Sequence, residues 1–215
     1  MSAALLDAPE VRDAASFAAA TGASNEAMAD LERLRTMLAD WNERMNLVSA
    51  GSLAEFWPRH AFDSAQLLAL APAARTWVDI GAGAGFPGLV LAILLKGRPD
   101  ARVRLVESQA KKCRFLEAVV GEFGLPAEVH NARAEALSLK ADVVTARAVA
   151  PLVKLLGFAQ PHMKRGAVGL FLKGQGAEAE IAEARATWRF TCNVIPSRSD
   201  PSGRILRLGS LARAA

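Results

Sequence analysis

Apolar residues recur at spacings of three and four over the first seventy positions and then gather into short runs, so the pattern divides the chain near residue 74. Met28, Leu31, Leu34, Leu38, Trp41 and Met45 form one stripe. That is the period of an amphipathic helix, which Ser24 or Asn25 can cap. A loop is expected around residues 46–51. Ser52-Leu53-Ala54-Glu55 has the form of a capping box and predicts a second helix, with Phe56, Trp57, Ala61, Ser64, Leu67 and Leu68 on a shared side and an end near Pro72. The alanine-rich first twenty residues predict a loosely held end.

From Arg75 onward short apolar runs alternate with helical stretches, the signature of a parallel sheet wrapped by helices. Strands are expected at 76–80, 103–107, 127–131, 143–146 and 167–173. Helices are expected at about 87–96, 110–123, 134–137, 151–163 and 177–187. Two final strands, 189–195 and 204–209, are joined by about eight residues, too few for a parallel return, so they must pair antiparallel. The expected fold is therefore α/β and Rossmann-like, a seven-stranded, mostly parallel sheet with an antiparallel last strand. A small helical extension over 1–74 precedes the sheet domain at 75–215.

Composition narrows the class. The chain of 215 residues is 52% hydrophobic, enough for one large core or a core with a small appendage. The apolar run Leu89 to Leu95 is bounded by Pro87 and Lys96, short of the roughly 20 residues that cross a bilayer. The first ten residues lack the basic and apolar blocks of a secretory leader, and the expectation is a cytoplasmic protein without a membrane span. Cys113 and Cys192 form no CxxC pair and the three histidines are scattered, so neither a disulfide framework nor a metal site is expected. A net charge of +4 and a pI near 9.4 suit a polyanionic partner and equally suit a mildly basic enzyme.

The chemistry concentrates after the first strand, in Val78-Asp79-Ile80-Gly81-Ala82-Gly83-Ala84-Gly85-Phe86-Pro87-Gly88. Glycines there remove the Cβ atoms that would keep a ligand from the backbone amides at the start of a helix. Glu107 ends the next strand, where a carboxylate can accept both hydroxyls of a ribose. Together they describe a nucleoside site lined by Asp79, Gly81, Gly83, Gly85 and Glu107. Gly83 to Gly88 also fits the dinucleotide fingerprint G-x-G-x-x-G, so a dinucleotide enzyme stays open. Three features favour S-adenosylmethionine. The glycines begin a step earlier behind Asp79, Pro87 removes an amide that a pyrophosphate would use, and the sheet ends in an antiparallel pair.

Further motifs carry a family resemblance. They are Trp41-Asn42 with Met45-Asn46-Leu47, Arg59-His60 with Asp63-Ser64, the glycine loop, Lys111-Lys112-Cys113-Arg114-Phe115-Leu116, Ala146-Arg147-Ala148 and Leu172-Lys173-Gly174. In this order the chain, from about Trp41 to Leu208, resembles the glucose-inhibited division protein B family of ribosomal RNA methyltransferases, which methylate N7 of a guanine in bacterial 16S rRNA. The resemblance implies S-adenosylmethionine as cofactor and 16S rRNA or the small ribosomal subunit as partner. It implies that Gly81 and Phe86 line the cofactor site, that Ala134 and Glu135 sit beside the adenine, and that Arg147 reaches the cofactor or the target base. In Thr145-Ala146-Arg147 the resemblance leads one to expect a serine directly before the arginine; Ala146 stands there, which leaves the role of Arg147 intact and removes the basis for a hydroxyl contact at that position.

Methyl transfer from a sulfonium is an in-line displacement, so alignment is the protein's main task. Guanine N7 has an available lone pair and needs no base to expose it. Consistently, Asp142-Val143-Val144-Thr145-Ala146-Arg147 lacks the Asn/Asp-Pro-Pro-aromatic motif that holds an exocyclic amine. The candidates for RNA contact are Arg147, Lys173, Arg133, and Arg198 or Arg204, since such groups pair with phosphates and arginine can bond or stack on guanine. His60 joins them or covers the cofactor pocket; equally, Asp63 pairs with His60 or caps a neighbouring loop. Trp41 and Trp57 read as core. Cys192 lies on the sheet's edge pair and is not placed to attack a base. Cys113 reads as a helix residue against the sheet: Lys111, Lys112 and Arg114 are of the kind that can lower a thiol pKa, but it has no partner base. A methyltransferase of small molecules or proteins, and a non-catalytic ribosome-binding module, remain the alternatives.

Overall fold

A computed structural model describes residues 10–214. Strands β1 (Thr76–Ile80), β2 (Arg102–Glu107), β3 (Ala127–Asn131), β4 (Val143–Arg147), β5 (Val168–Lys173), β6 (Trp188–Pro196) and β7 (Arg204–Arg213) form one sheet in the order β3-β2-β1-β4-β5-β7-β6. The first five run parallel, while β7 is antiparallel to both β5 and β6. This is a Rossmann-like α/β architecture, a mostly parallel seven-stranded sheet with β7 antiparallel, as the pattern of runs required. The chain winds outward from β1 to β3, then restarts on the other side at β4. The loops after β1 and β4 consequently diverge and open a crevice at the carboxyl ends of the strands, the usual ligand position in such sheets.

One face of the sheet is covered by α5 (Gly88–Leu95) and α6 (Ala110–Phe123) together with the N-terminal helices, and the other by α7 (Leu152–Met163) and α8 (Ala177–Ala184). Helix α5 is apolar on every side, and all of its residues but Leu94 are buried. A helix of that kind must be enclosed. The enclosure comes from α2 (Asn25–Met45) and α4 (Asp63–Leu70), and the cluster containing Leu31, Leu34, Phe62 and Leu67 is continuous with Leu89, Leu105 and Phe115. Lys96 at the end of α5 pairs with Glu26 and Asp30 of α2 at 3.0 and 2.9 Å. The expected division near residue 74 therefore marks a change of pattern across which the hydrophobic core runs without a break.

Two local expectations change. Ser49, not Ser52, caps the next helix: its hydroxyl accepts from the Ser52 amide, and only Ala50–Ala54 (α3) follows before a π-helical segment, Phe56–Phe62, leads into α4. Pro58 has no amide to give to the ladder, and the widened turn carries Arg59 and His60. The first twenty residues are not loosely held over their described part. Asp13 and Ser16 form a reciprocal cap on α1 (Ala14–Thr21), and Val11 and Phe17 are buried, the latter 5.3 Å from Trp57. The reading of residues 1–9 lies outside the described residues. Trp41 packs on Phe115 at 5.6 Å, as core. The short helix expected at 134–137 is a 3-10 turn, Ala134–Ala136.

Candidate active site

A cavity of about 970 Å³ opens at the carboxyl edge of β1, β2, β4 and β5, within the size range of cofactor sites. Its floor is the β1–α5 loop. Gly83 has φ +56°, and a Cβ built there would meet only the Gly81 carbonyl oxygen at 3.6 Å, so any larger side chain would project into the cavity. Gly81, Ala82, Ala84 and Phe86 line it as well. Gly85 does not: a Cβ there would fall 2.2 Å from Leu89 Cδ1, and this glycine serves the packing of the loop on α5.

Glu107 reaches the loop from the end of β2. Its Oε2 accepts from the Gly83 amide at 3.0 Å and its Oε1 from the Gln109 amide at 2.8 Å. Each oxygen keeps a further lone pair, so the acid both holds the loop in place and can receive hydroxyls. Asp79 is different. It is fully buried beneath the cavity and is not part of its wall. Its carboxylate accepts from the Gly88 amide at 3.0 Å and the Thr145 hydroxyl at 2.8 Å. Burial pushes its pKa up to about 7 despite those two donors. The expected ligand contact is thus replaced by a buttress between β1, β4 and the start of α5, and the hydroxyl of Thr145 is spent on that buttress.

Opposite the loop, Arg147 at the end of β4 is clasped by the N-terminal helices. Its Nη1 donates to the Arg59 carbonyl at 2.6 Å and to Asp63 at 3.4 Å, and its Nη2 lies 2.9 Å from His60 Nδ1. The guanidinium stands 5.0 Å over the Phe86 ring, against which His60 stacks at 4.4 Å with an interplanar angle of 12°. Burial, then the charges of Arg147 and Arg59, hold the His60 pKa down to about 3. The imidazole is therefore neutral, accepts from Arg147 through Nδ1 and carries its proton on Nε2. Asp63 also accepts from Ser199 at 2.7 Å and Ser197 at 3.4 Å in the β6–β7 turn. Gln66, fully buried one turn further along α4, donates to Ser197 and accepts from the Arg198 amide at 2.7 Å.

The structure revises several expected roles. Lys173 lines the cavity, but its ammonium donates to Glu180 at 2.7 Å and the Ala150 carbonyl at 2.8 Å and is only 10% exposed, so it is not a free cation for RNA. His60 is buried and neutral, which removes it from phosphate binding. Arg204 stands in the wall, its Nη1 bound to the Pro201 and Gly203 carbonyls. Arg133 is exposed away from the cavity. Ala134 and Glu135 lie outside its wall, the Ala134 carbonyl facing His162 Nε2 at 3.0 Å. Cys113 is a buried residue of α6, as expected, and burial, Glu107 and Glu117 raise its thiol pKa despite the neighbouring cations. Of the alternatives for Asp63, the cap on a neighbouring loop is the one found; the part of Gln66 in that clasp was not expected, and its one sequence signal is a polar residue inside the apolar run Ala65 to Leu68.

Residues 27–199 match the family described as rRNA small subunit methyltransferase G. The chain is 58% identical over 207 residues to "Ribosomal RNA small subunit methyltransferase G" of Caulobacter vibrioides, covering 96% of each. It is 56% identical to the protein of that name from Caulobacter sp. strain K31, over 93% of this chain and 90% of the relative. To that from Parvibaculum lavamentivorans it is 48% identical, over 94% and 92%. The first of these matches covers 96% of the chain and so reaches well before Trp41, where the sequence motifs begin.

Proposed function

Since the chain belongs to the rRNA small subunit methyltransferase G family, we propose that it transfers a methyl group from S-adenosylmethionine to N7 of a guanine in 16S rRNA. Methylation of small-subunit rRNA with S-adenosylmethionine is the family's activity; the atom methylated and the residues that carry the reaction are the proposal. Among the described residues no helix is long and apolar enough to cross a membrane, and we place the reaction in the cytoplasm with the ribosome.

The cavity fits the cofactor. A Cβ at Gly83 would project into the cavity from its floor, and Glu107, which meets no cation among the described residues, presents a carboxylate at the position that receives ribose hydroxyls. Bound there, S-adenosylmethionine supplies a methyl group on a positively charged sulfur. Gly81, Gly83, Phe86 and Glu107 would hold it, Asp79 fixes the loop from below, and the stacked His60 and Phe86 exclude water from one side.

The observation that carries N7 is that the groups able to act as bases beside the loop already accept hydrogen bonds: Glu107 from two amides, Asp63 from Arg147 and Ser199, His60 from Arg147. An acceptor whose lone pair needs no deprotonation suits such a wall. Arg147 keeps its Nε–H and one Nη2–H for a guanine O6 or a phosphate, and it cannot occupy N7 itself.

Transfer of radiolabelled methyl groups to small subunits and to stripped 16S rRNA, followed by nucleoside analysis, tests this. Label in 7-methylguanosine is the expected result, and label in any other nucleoside overturns it. In calorimetry the wild type binds S-adenosylmethionine, whereas Gly83→Val binds at least about tenfold more weakly, equivalent to about 1.4 kcal/mol, because the valine both fills the floor and resists the left-handed backbone.

A further inference from the structure

Five cations stand in the cavity wall, and four of them face a carboxylate: Arg59 faces Glu55 at 3.7 Å, Arg147 Asp63 at 3.4 Å, Lys173 Glu180 at 2.7 Å and Arg204 Glu178 at 3.6 Å. The fifth, Lys112, pairs with no carboxylate among the described residues. Neither does its neighbour Lys111, which is exposed on the same turn of α6. That turn follows Glu107, Ser108 and Gln109, so the pair stands at the cavity mouth on the side of the β2 acid. Leu47, Val48, Ser49 and Ser52, which carry no charge, line the same cavity, and of its acids Asp63 and Glu180 are paired with Arg147 and Lys173. Glu107, which ends the strand before this helix, is turned toward the amides of Gly83 and Gln109.

Intramolecular stability does not account for these lysines. They lie in the first turn of α6, which holds no acidic residue, and a cation at a helix N-terminus opposes the helix dipole, a cost of a few tenths of a kcal/mol or more. Two adjacent lysines also repel one another. Among the described residues no acid offsets that cost, and an anionic partner bound there would.

We propose that Lys111 and Lys112 form the docking surface for the phosphate backbone of the substrate RNA beside the target nucleotide, taking the role that the sequence had suggested for Lys173 and His60. This rests on the chain's being an rRNA methyltransferase. The shared chemistry is that of an oxyanion, and its two sources, an RNA phosphate and the carboxylate of the cofactor, make different predictions. Pairing with RNA phosphates responds steeply to salt and leaves cofactor affinity alone. For every phosphate that the protein no longer neutralises, the slope of log affinity against log salt falls by about 0.7 to 0.9.

The experiment compares the wild type with Lys111→Gln/Lys112→Gln, measuring the RNA KM for methyl transfer between about 50 and 200 mM salt and cofactor affinity by calorimetry. Lys154→Gln/Lys164→Gln, two exposed lysines remote from the cavity, carries the same change in net charge, and Lys111→Arg/Lys112→Arg restores the cations. The expected result is an RNA KM raised about tenfold in the glutamine pair, with the salt slope reduced by about one to two. Cofactor affinity stays within twofold, the remote control is unchanged and the arginine pair recovers. An unchanged slope, an equal shift in the remote control, or weaker cofactor binding with the RNA KM intact would each overturn the proposal. Absence of any transfer to rRNA by the wild type is a separate failure, one that removes the proposed function along with it.

Discussion

Asp79 sits under the glycine loop with the Thr145 hydroxyl and the Gly88 amide both aimed at its oxygens, and burial still pushes its carboxyl up to about 7. In the unfolded chain the same group titrates near about 3.9. The folded protein therefore binds this proton more tightly, and the stability it contributes is full below about pH 4 and is lost as pH rises through about 7. In Asp79→Asn the amide can still accept from Gly88 and donate to Thr145 without titrating. Its melting temperature should gain on that of the wild type by several degrees between about pH 5 and about pH 8, and a gap constant over that range would remove Asp79 from the pH response. At this scale residue type was legible and partnership was not. Gly81, Gly83, Phe86, Glu107 and Arg147 all reach the cavity wall as their motifs implied. Lys173 and His60 are there too, yet their charge and exposure depend on Glu180 and on burial under Arg147 and Phe86, which only the packing of α8 and the N-terminal helices supplies.

Among the elements, strands were the most readable, because each is a short apolar run with breakers at both ends, and the length of the β6–β7 turn alone required antiparallel pairing. The second N-terminal helix was less so. Ser49 and Ser52 stand equally well before an apolar run, and the choice between them depends on Pro58 and on a π-helical turn that no periodicity of 3.6 reveals. The outcome matters, because the widened turn and α4 present Asp63 and Gln66 to the serine turn that forms the far wall. Gln66→Leu keeps the buried volume but removes the acceptor of the Arg198 amide and the donor to Ser197. The expected loss is about 1–3 kcal/mol in urea denaturation, together with reduced turnover, since Ser197, Ser199 and Gly203 line the cavity. A loss below about 0.5 kcal/mol would mean that the turn holds its shape without α4.

At the scale of the whole molecule, the change of period near residue 74 suggested an appendage beside a self-sufficient sheet domain, and a period cannot report which surface covers which. The pattern of α5 carried the missing signal: eight residues, Gly88-Leu89-Val90-Leu91-Ala92-Ile93-Leu94-Leu95, without a polar side. The sheet encloses only one side of such a helix. The rest is enclosed by α2 and α4, with Lys96 locked to Glu26 and Asp30, and Arg33 reaching Glu122 of α6 at 2.9 Å. Removing residues 1–74 exposes this face at about 25 cal/mol for each Å² of apolar surface, against a total stability of about 5–15 kcal/mol. It also takes away Arg59, His60 and Asp63, which hold Arg147. A chain beginning at Arg75 should therefore lack a cooperative thermal transition and aggregate, and S-adenosylmethionine should not rescue it. Were that fragment to melt cooperatively and bind the cofactor, the N-terminal helices would be an accessory to a complete domain; the continuity of the core from Leu31 to Leu105 argues that they are a part of it.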